Sequence, residues 1–282
     1  MSLIDLSCQP RPFLKWAGGK AQLLNHLKPL IPSHFNDYFE PFLGGGAMFF
    51  YLSSNGLLPN KAYLTDINAD LINVYKCLKK SPEFLLVKLI TNEQNYMKDP
   101  LNFYYNLRRT VYHNNFEKAA QFITLNKTCY NGLYRVNRKG KFNVPIGRYK
   151  KPVICDVTNL RNVNLALNPS GVKIACIGYE HILKRASEGD FIYLDPPFSP
   201  ISKTSNFTEY TARGFDTKDQ ENLARIFTRL SEKRCRVIVS NSDTELVRDL
   251  YREYKMISVS SLRSINCQSN GRRGTRELII FN

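Results

Sequence analysis

One tetrapeptide of this sequence, Asp195-Pro196-Pro197-Phe198, combines groups that could do chemistry on a planar amine. The two prolines fix the backbone and remove two amide donors, which leaves rigid carbonyl acceptors beside a carboxylate. A carboxylate and a carbonyl that point the same way can accept both protons of an NH2 group, while the aromatic ring stacks on a base. Such acceptors would turn a delocalised exocyclic amine, such as adenine N6, into a nucleophile through positioning and electrostatics, without a covalent enzyme intermediate.

A second group of candidate residues is the glycine turn Gly44-Gly45-Gly46 together with Asp66. The turn fails the dinucleotide fingerprint because Phe49 stands where the third glycine belongs, and no Gly-Lys-Ser/Thr follows to make a P-loop. Asp66 lies about 20 residues further on, at the end of the next predicted strand, where a carboxylate can bind both ribose hydroxyls of a nucleoside cofactor. On these features alone, a structural turn and a helix-capping aspartate are an equally good interpretation.

Both candidate sites need strands to position them, and the apolar pattern supplies these strands. It predicts extended segments over 37–43, 62–65, 190–194, 236–240 and 277–281. Asn68 is predicted to cap a helix that runs to about Lys80, and Thr217 with Gln220 resembles a capping box. Strands that alternate with helices predict an α/β fold with a doubly wound, largely parallel sheet, which binds ligands at the carboxyl ends of its strands.

The middle of the chain interrupts this alternation. Residues 81–127 are predicted to be helical and amphipathic, and a basic loop segment to Pro152 follows them. Between Ala119 and Cys155 the sequence has no acidic residue, and aromatic residues are interleaved with basic ones: Lys127, Arg135, Arg138, Lys139, Lys141, Arg148, Lys150 and Lys151. A second acid-free stretch runs from Tyr254 to Arg276. The two stretches could form opposite walls of a nucleic-acid groove or could be separate solvated loops.

Composition limits the class of protein. With 282 residues, 43% of them hydrophobic, the chain can bury a full core, and a formal net charge of +16 favours a polyanionic partner. The sequence has neither a membrane-spanning apolar run nor a visible secretory signal at Met1 to Arg11. Its seven scattered cysteines form no Cys-x-x-Cys pair, so we expect reduced thiols in a cytoplasmic protein, with neither a zinc site nor disulfides.

Taken together, the motifs resemble the Dam-type (DpnM-like) DNA adenine N6-methyltransferases, close to the GATC-methylating members. The matching stretches, in chain order, are 13–20, 39–46, Asp66, 131–135, 142–145 and 195–198. The resemblance implies a class I methyltransferase fold, a Rossmann-like doubly wound sheet with an inserted, mostly helical target-recognition domain. The catalytic, S-adenosylmethionine-binding domain would comprise residues 1–75 and 160–282, and the insertion residues 76–159.

The resemblance also implies roles for individual residues. In catalysis, Asp195 and Pro196 would accept from the target amine, and Phe198 would stack on the flipped base after Pro197. The implied cofactor contacts are Trp16, Lys20, Phe42, Gly44, Gly45, Asp66, Tyr179 and Asp195. The implied DNA contacts are Lys15, Tyr130, Asn131, Leu133, Arg135, Arg138, Asn143 and Pro145. Among these, Tyr130 would lie against the opened base stack, and Arg135 would read guanine.

Two positions depart from the family pattern. Many relatives have an acidic residue before an aromatic one at the strand preceding the catalytic strand, where this sequence reads Cys176-Ile177-Gly178-Tyr179. Tyr179 could still contact the cofactor adenine. At the catalytic aromatic position, Phe198 stands where tyrosine is more usual, so stacking is retained and a hydroxyl hydrogen bond is lost.

The resemblance thus implies a monomeric enzyme that uses S-adenosylmethionine, releases S-adenosylhomocysteine, needs no metal or membrane, and methylates adenine in duplex DNA by base flipping. Whether it acts alone or beside a cognate bacterial restriction endonuclease, which need not bind it, stays open. The alternatives are an RNA adenine N6 or DNA cytosine N4 methyltransferase, or a non-catalytic DNA-binding protein with a decayed cofactor site. A cytosine C5 enzyme is disfavoured because the sequence has no Pro-Cys pair.

Overall fold

A seven-stranded sheet forms the centre of the structure, a computed structural model that describes residues 9–16, 23–137, 139–197, 215–261 and 275–282. In chain order its strands are β1 (Asp37–Glu40), β2 (Lys61–Asp66), β3 (Val172–Cys176), β4 (Phe191–Leu194), β5 (Arg236–Ser242), β6 (Lys255–Ser261) and β7 (Thr275–Phe281). They lie in the order β3-β2-β1-β4-β5-β7-β6, and β7 is antiparallel to both of its neighbours. The other pairs are parallel, which confirms the predicted doubly wound α/β fold.

The central strand β4 is buried along its whole length, as expected for a parallel strand covered on both faces. Two strand predictions need correction. β1 ends at Glu40 instead of continuing to Leu43, since Pro41 follows and has no amide to donate to the ladder. β6 lies within the basic stretch that begins at Tyr254, and no strand was predicted there, because an edge strand that alternates polar and apolar residues gives no continuous apolar signal.

Helices cover the sheet and fill the middle of the chain. They are α1 (Leu24–Leu27), α2 (Ala47–Ser54), α3 (Ala69–Lys80), α4 (Pro82–Lys98), α5 (Pro100–Arg109), α6 (Asn115–Thr128), α7 (Val157–Leu167), α8 (Thr217–Glu232) and α9 (Glu245–Leu250). Helices α4, α5 and α6 confirm the helical prediction for residues 81–127. Asn68 caps α3 as predicted, since its Oδ1 accepts from the Leu71 amide at 3.0 Å.

Helices α4 to α6 and the basic loop lie, in chain order, between α3 and α7, where the insertion was predicted. Their buried side chains belong to the same hydrophobic cluster as those of α2 and α3. The boundary proposed at residues 75 and 76 falls within α3, whose later residues Cys77 and Leu78 are also buried in this cluster. The division into two domains stays a prediction.

The capping box of α8 was predicted one residue too late. Asp216 is the N-cap, and its carboxylate accepts from the Asp219 amide while the Asp219 carboxylate accepts from the Asp216 amide, each at 3.0 Å. An aspartate at the cap and another three residues later make the same reciprocal pair as the usual Ser/Thr and Glu/Gln. The Gln220 side chain takes no part in this cap. It is fully buried, and its Nε2 donates to the Pro197 carbonyl.

Two further features concern the chain as a whole. In the ranges that the structure describes, no helix is long and apolar enough to cross a membrane. Five cysteines lie in these ranges, namely Cys77, Cys129, Cys155, Cys176 and Cys235, and all of them are free thiols.

Candidate active site

Asp195 follows the last residue of β4, between the carboxyl ends of β1 and β5. The register pairs Phe39 of β1 with Ile192 of β4, so these two parallel strands end at the same edge of the sheet. The Asp195 side chain is half-buried, Pro196 is buried and Pro197 is half-buried. Phe198 lies outside the described residues. The Asp-Pro-Pro segment thus lies at the edge of the sheet where α/β proteins bind their ligands.

Glu40, at the end of β1, is a buried carboxyl that the sequence analysis did not single out. It is 2% exposed, and its Oε2 accepts from the Tyr38 hydroxyl at 2.8 Å and from the Phe49 amide at 3.1 Å. Burial, opposed by these hydrogen bonds and assisted by the charge of Asp195, raises the pKa of Glu40 to about 8. Because Phe49 lies in the first turn of α2, Glu40 caps this helix from the neighbouring strand.

The glycine turn connects β1 to α2 and approaches two side chains closely. Gly44 and Gly46 have φ values of +46° and +68°, a left-handed conformation that suits glycine. A Cβ on Gly44 would lie 2.7 Å from Cδ1 of Trp16, so the indole covers this part of the turn. The Tyr75 hydroxyl donates to the Gly44 carbonyl at 3.0 Å. The structure therefore brings Trp16 and the glycine turn together.

Asp66, at the end of β2, bonds to the same turn. Its Oδ2 accepts from the Gly44 amide at 3.0 Å and its Oδ1 from the Asn68 amide at 2.9 Å. Burial raises the pKa of Asp66, and the backbone hydrogen bonds oppose this rise. The buried Nδ2 of Asn68, whose backbone amide binds this carboxylate, has no partner in good hydrogen-bond geometry, although its side chain interacts with the Tyr134 hydroxyl. An acceptor and an orphaned donor at one strand end suit a hydroxyl group, which both donates and accepts.

An aromatic pair stands next to the turn on the other side. The rings of Phe42 and Tyr179 stack with centroids 5.1 Å apart and an interplanar angle of 27°. The Tyr179 hydroxyl accepts from Nδ2 of Asn222 at 3.0 Å, which fixes the ring. Cys176, at the end of β3, is exposed. It begins the Cys176-Ile177-Gly178-Tyr179 segment, which lacks the acidic residue expected from the resemblance. Lys20, the remaining predicted cofactor contact, lies outside the described residues.

The predicted DNA contacts cluster on one loop after α6. Residues Tyr130–Gly132 form a 3-10 turn in which Asn131 has a φ of 53°, and the Tyr130 amide donates to the Pro145 carbonyl at 2.9 Å. Arg135 and Asn143 are paired, since the Arg135 Nε donates to the Asn143 Oδ1 at 2.8 Å. Leu133 is half-buried on the same loop, whereas Arg138 lies outside the described residues.

The segment that contains Lys15 and Trp16 is tied to this loop. The Lys15 Nζ lies 3.8 Å from the centre of the Tyr149 ring, a cation–π contact. Trp16 stacks on Tyr134 with centroids 5.7 Å apart. Asn126, buried on α6, accepts from the Lys15 amide and donates to the Lys15 carbonyl, both at 2.8 Å, and donates to the Gly132 carbonyl at 3.2 Å. The predicted cofactor contact and the predicted DNA contacts thus share one framework.

A buried amide network lies under the Asp-Pro-Pro segment. The Gln220 Nε2 donates to the Pro197 carbonyl at 3.4 Å, and the Asn241 Nδ2 of β5 donates to the Gln220 Oε1 at 2.8 Å. Sequence reasoning missed Gln220, Asn241, Glu40 and Asn126 as site residues. Glu40 and Asn241 lie near strand ends and Asn126 follows an apolar run, a signal that indicates burial without identifying the partner, whereas Gln220 stands among polar residues and gives no such signal. Within the described ranges, no group of three or more His, Cys, Asp or Glu residues could hold a metal ion.

The strand order β3-β2-β1-β4-β5-β7-β6, with β7 antiparallel to its neighbours, is that of the class I methyltransferase fold, and its central strands end at a glycine turn and an Asp-Pro-Pro segment. Comparison with known proteins defines the family within this class. The model of the D12 class N6 adenine-specific DNA methyltransferases matches residues 16–265. The chain therefore belongs to this family and is an adenine-specific DNA methyltransferase.

Individual relatives are similar over nearly the whole chain. The Type II methyltransferase M1.LlaDCHI of Lactococcus lactis subsp. cremoris is 40% identical over 278 residues, which cover 96% of this chain and 95% of the relative. The Type II methyltransferase M.MjaIII of Methanocaldococcus jannaschii is 40% identical, covering 96% and 99%. The DNA adenine methylase of Escherichia coli strain K12 is 35% identical, covering 95% and 94%. The family assignment of the sequence analysis is confirmed.

Proposed function

We propose that this enzyme transfers a methyl group from S-adenosylmethionine to N6 of the adenine in duplex GATC, with S-adenosylhomocysteine as the product. The observation that carries the proposal is the convergence of Asp195, Asp66 and the glycine turn at the carboxyl ends of three adjacent strands, β4, β2 and β1. A methyl donor held over the turn and an amine held at Asp195 would be neighbours there.

In this proposal, Asp195 and Pro196 activate the amine. The Asp195 carboxylate and the Pro196 carbonyl accept hydrogen bonds from its two N–H groups, which draws the nitrogen lone pair out of conjugation with the ring. When the nitrogen gains the methyl group, one of these protons would leave by way of the Asp195 carboxylate and the other would stay on nitrogen. The bound cofactor supplies an electrophilic methyl sulfonium. Direct transfer then depends on positioning and on the negative charge of the two acceptor oxygens, which stabilises the positive charge that develops on the nitrogen. It needs no covalent enzyme intermediate. Pro197 stiffens the loop, and Phe198 is proposed to stack on the target base.

The cofactor proposal rests on how the described residues fit a nucleoside. The Asp66 carboxylate and the orphaned Asn68 amide would bind the ribose hydroxyls. The stacked Phe42 and Tyr179 rings would pack against the adenine, with Tyr179 in place of the missing acidic residue. The turn at Gly44 and Gly45, on which Trp16 packs, would pass beside the cofactor, and Trp16 with Lys20 would contact its methionine part.

The loop after α6 is proposed to recognise GATC, because residues 131–135 resemble the corresponding segment of the methyltransferases that act on duplex DNA. Arg135 would read guanine, with a contribution of about 1–3 kcal/mol to discrimination, and Leu133 and Pro145 would pack on a thymine methyl group. Tyr130 would lie against the opened base stack. The remaining proposed contacts are Lys15, Asn131, Arg138 and Asn143.

The test is methyl transfer from radiolabelled S-adenosylmethionine to three substrates: a GATC duplex, a duplex with one base of the site changed, and an RNA of matched sequence. We expect label only in the GATC duplex, recovered as N6-methyladenine. Label in the changed duplex would retain the reaction and refute the target. Label in the RNA alone would refute the DNA substrate.

We further propose that the enzyme acts as a monomer in the cytoplasm, where its DNA substrate is found. Two of the relatives are named Type II methyltransferases, which supports a restriction endonuclease as the partner activity. Light scattering during gel filtration tests the first point, and protection of DNA from a GATC-cutting endonuclease after methylation tests the second.

A further inference from the structure

The segment Asp195-Pro196-Pro197 has few soft backbone dihedrals. The proline rings fix φ of Pro196 and Pro197. Asp195 and Pro196 each precede a proline, and the steric clash with its Cδ keeps them extended. Strand β4 anchors the beginning of the segment. The dihedral ψ of Pro197, which sets the direction of its carbonyl, remains unrestricted by the sequence. A hydrogen bond to this carbonyl would therefore fix the end of the segment.

Gln220 makes that hydrogen bond from a buried position. Its side chain is 0% exposed in the first turn of α8, and its Nε2 lies 3.4 Å from the Pro197 carbonyl oxygen. The fully buried Asn241 of β5 donates to the Gln220 Oε1 at 2.8 Å, and its own Oδ1 accepts from the Ser242 amide at 2.8 Å. The network thus joins α8, β5 and the Asp-Pro-Pro segment.

The orientation of both amides is determined by the two ends of the network. The Ser242 amide can only donate and the Pro197 carbonyl can only accept, so the hydrogen bonds must run from Ser242 through Asn241 and Gln220 to Pro197. Side chains that cannot both accept and donate in this order would leave a buried polar group unpaired. The chemistry at position 220 is therefore restricted to a group that accepts from Asn241 and donates to Pro197.

We propose that Gln220 is a positioning residue for methyl transfer, which holds the Asp195 carboxylate and the Pro196 carbonyl in register by anchoring Pro197. This inference rests on the acceptor roles proposed for Asp195 and Pro196. It assigns to a buried glutamine, with no contact to substrate, an effect on the chemical step. Loss of the anchor should reduce kcat and leave the binding of cofactor and DNA unchanged.

The first test replaces Gln220 by methionine, which has similar length and no donor. For Gln220→Met, we expect the rate constant of methyl transfer in single-turnover assays to fall about tenfold or more. The dissociation constants for S-adenosylmethionine and for GATC duplex should stay within about twofold of the wild type. The matched control is Asn164→Leu. It removes a half-buried amide that donates to the Leu78 and Lys79 carbonyls at the end of α3, far from Asp195.

The second test uses Gln220→Glu and pH. A neutral carboxyl group can accept from Asn241 and donate to Pro197, whereas the ionised form places an oxygen lone pair against the Pro197 carbonyl. Burial should raise the pKa of the new carboxyl, and the neutral form prevails below that pKa. We expect the ratio of the variant rate to the wild-type rate to rise as pH falls from about 8.5 to about 6. The same ratio for Gln220→Met should stay constant.

The outcomes separate this inference from the proposed function. An unchanged kcat in Gln220→Met, an equal loss in Asn164→Leu, or a ratio for Gln220→Glu that does not vary with pH would overturn it. If Gln220→Met does not fold, the pH series of Gln220→Glu decides alone. Full turnover by Asp195→Ala would refute the proposed function itself, whereas an inactive Asp195→Ala beside a fully active Gln220→Met refutes only the role of Gln220.

Discussion

Three carboxyl groups at the carboxyl ends of adjacent strands differ in their surroundings. Glu40 is fully enclosed and accepts from a tyrosine hydroxyl and a backbone amide. Asp66 accepts from two backbone amides beside an orphaned amide donor. Asp195 is half-buried in the segment that carries the proposed chemistry. The same functional group therefore serves as a neutral structural acceptor at Glu40 and as a proposed ligand acceptor at the other two positions.

Glu40 should make the stability of the enzyme depend on pH. Its pKa is raised to about 8 in the folded state, above its ordinary value of 4.5, so the folded protein binds the extra proton between these values. Stability is therefore present at low pH and is lost as pH rises toward 8. Glu40→Gln keeps an acceptor and cannot ionise, so its stability relative to the wild type should grow by on the order of 1–4 kcal/mol between pH 5 and pH 8.

Urea denaturation at several pH values measures this effect. Asp37→Asn is the control, because Asp37 lies near the start of β1 and its pKa is also raised, by burial and by Asp190. Its carboxyl group is only slightly enclosed, so its relative stability should change much less over the same range. Equal curves for Glu40→Gln and the wild type from pH 5 to pH 8 would show that Glu40 is ionised in the folded protein.

Asp195→Ala should abolish turnover and leave the cofactor site intact. Removing one of the two proposed acceptors should lower kcat by about a thousandfold or more, since the interaction forms with the amine in the transition state. Titration calorimetry should still give S-adenosylmethionine binding within a few fold of the wild type. Loss of cofactor binding with the fold preserved would instead assign Asp195 to the cofactor.

Arg135→Ala should relax sequence choice more than it weakens binding. Arg135 Nε donates to Asn143 Oδ1 at 2.8 Å, which orients the guanidinium on the loop after α6 that is proposed to read the recognition sequence. Removal of a bidentate guanine reader should reduce the preference for GATC over the duplex changed at that guanine by about 10- to 100-fold. Competition with nonspecific DNA should show little change in background affinity. A uniform loss across all duplexes would make Arg135 a phosphate contact.

At the scale of elements, local signals predicted what depends on local chemistry. The Asn68 cap, the helix to Lys80 and the buried strand β4 follow from capping chemistry and apolar pattern, which neighbouring residues determine. Some partners of Glu40, Gln220 and Asn126 lie on other elements, and a local pattern does not identify them. They are Phe49 for Glu40, Pro197 and Asn241 for Gln220, and Lys15 for Asn126. The motifs Gly44 to Gly46, Asp66 and Asp195 could be placed at strand ends from sequence, and the resemblance supplied the order in which they belong together.

The buried side chain of Asn126 is one of several contacts between the segment of Lys15 and Trp16 and the loop after α6. Asn126 satisfies the Lys15 amide, the Lys15 carbonyl and the Gly132 carbonyl. Gly132 also abuts the Lys15 side chain so closely that a Cβ there would collide with it. Trp16 continues the contact by stacking on Tyr134 and Phe122. We therefore expect the proposed base-reading loop and the segment that covers Gly44 to move together.

Asn126→Leu should destabilise the protein and weaken both binding activities. Leucine has a similar volume but leaves three backbone groups without partners, which should cost about 2–4 kcal/mol in the free energy of unfolding. Asn92→Leu removes one hydrogen bond between α4 and α6, at Thr124, and should cost less. Binding assays should show weaker affinity of Asn126→Leu for both DNA and cofactor. Loss of DNA affinity with normal cofactor affinity would refute the mechanical link.

At the scale of the whole molecule, the net charge is +16, and only some of the basic residues can contact DNA. The loop after α6 carries exposed Lys139, Lys141 and Lys150 close to the proposed base readers. Other exposed lysines lie elsewhere: Lys80 ends α3, and Lys173 lies at the start of β3, the end of the sheet away from Asp195. If charge acted only through its total, both groups would contribute equally to DNA binding.

Salt dependence should distinguish these groups. Removal of one phosphate-binding lysine reduces the steepness of log K against log salt concentration by about 0.9 for duplex DNA. The variant Lys139→Ala/Lys141→Ala/Lys150→Ala should therefore show a slope shallower by about 2–3, measured by fluorescence anisotropy on a GATC duplex over a range of about 50 to 300 mM salt. The variant Lys80→Ala/Lys173→Ala should keep the wild-type slope, since phosphates more than a Debye length away are screened. A slope change of about 0.9 per lysine in both variants would mean that DNA contacts both ends of the sheet, and the loop after α6 would then not be the main DNA-binding surface.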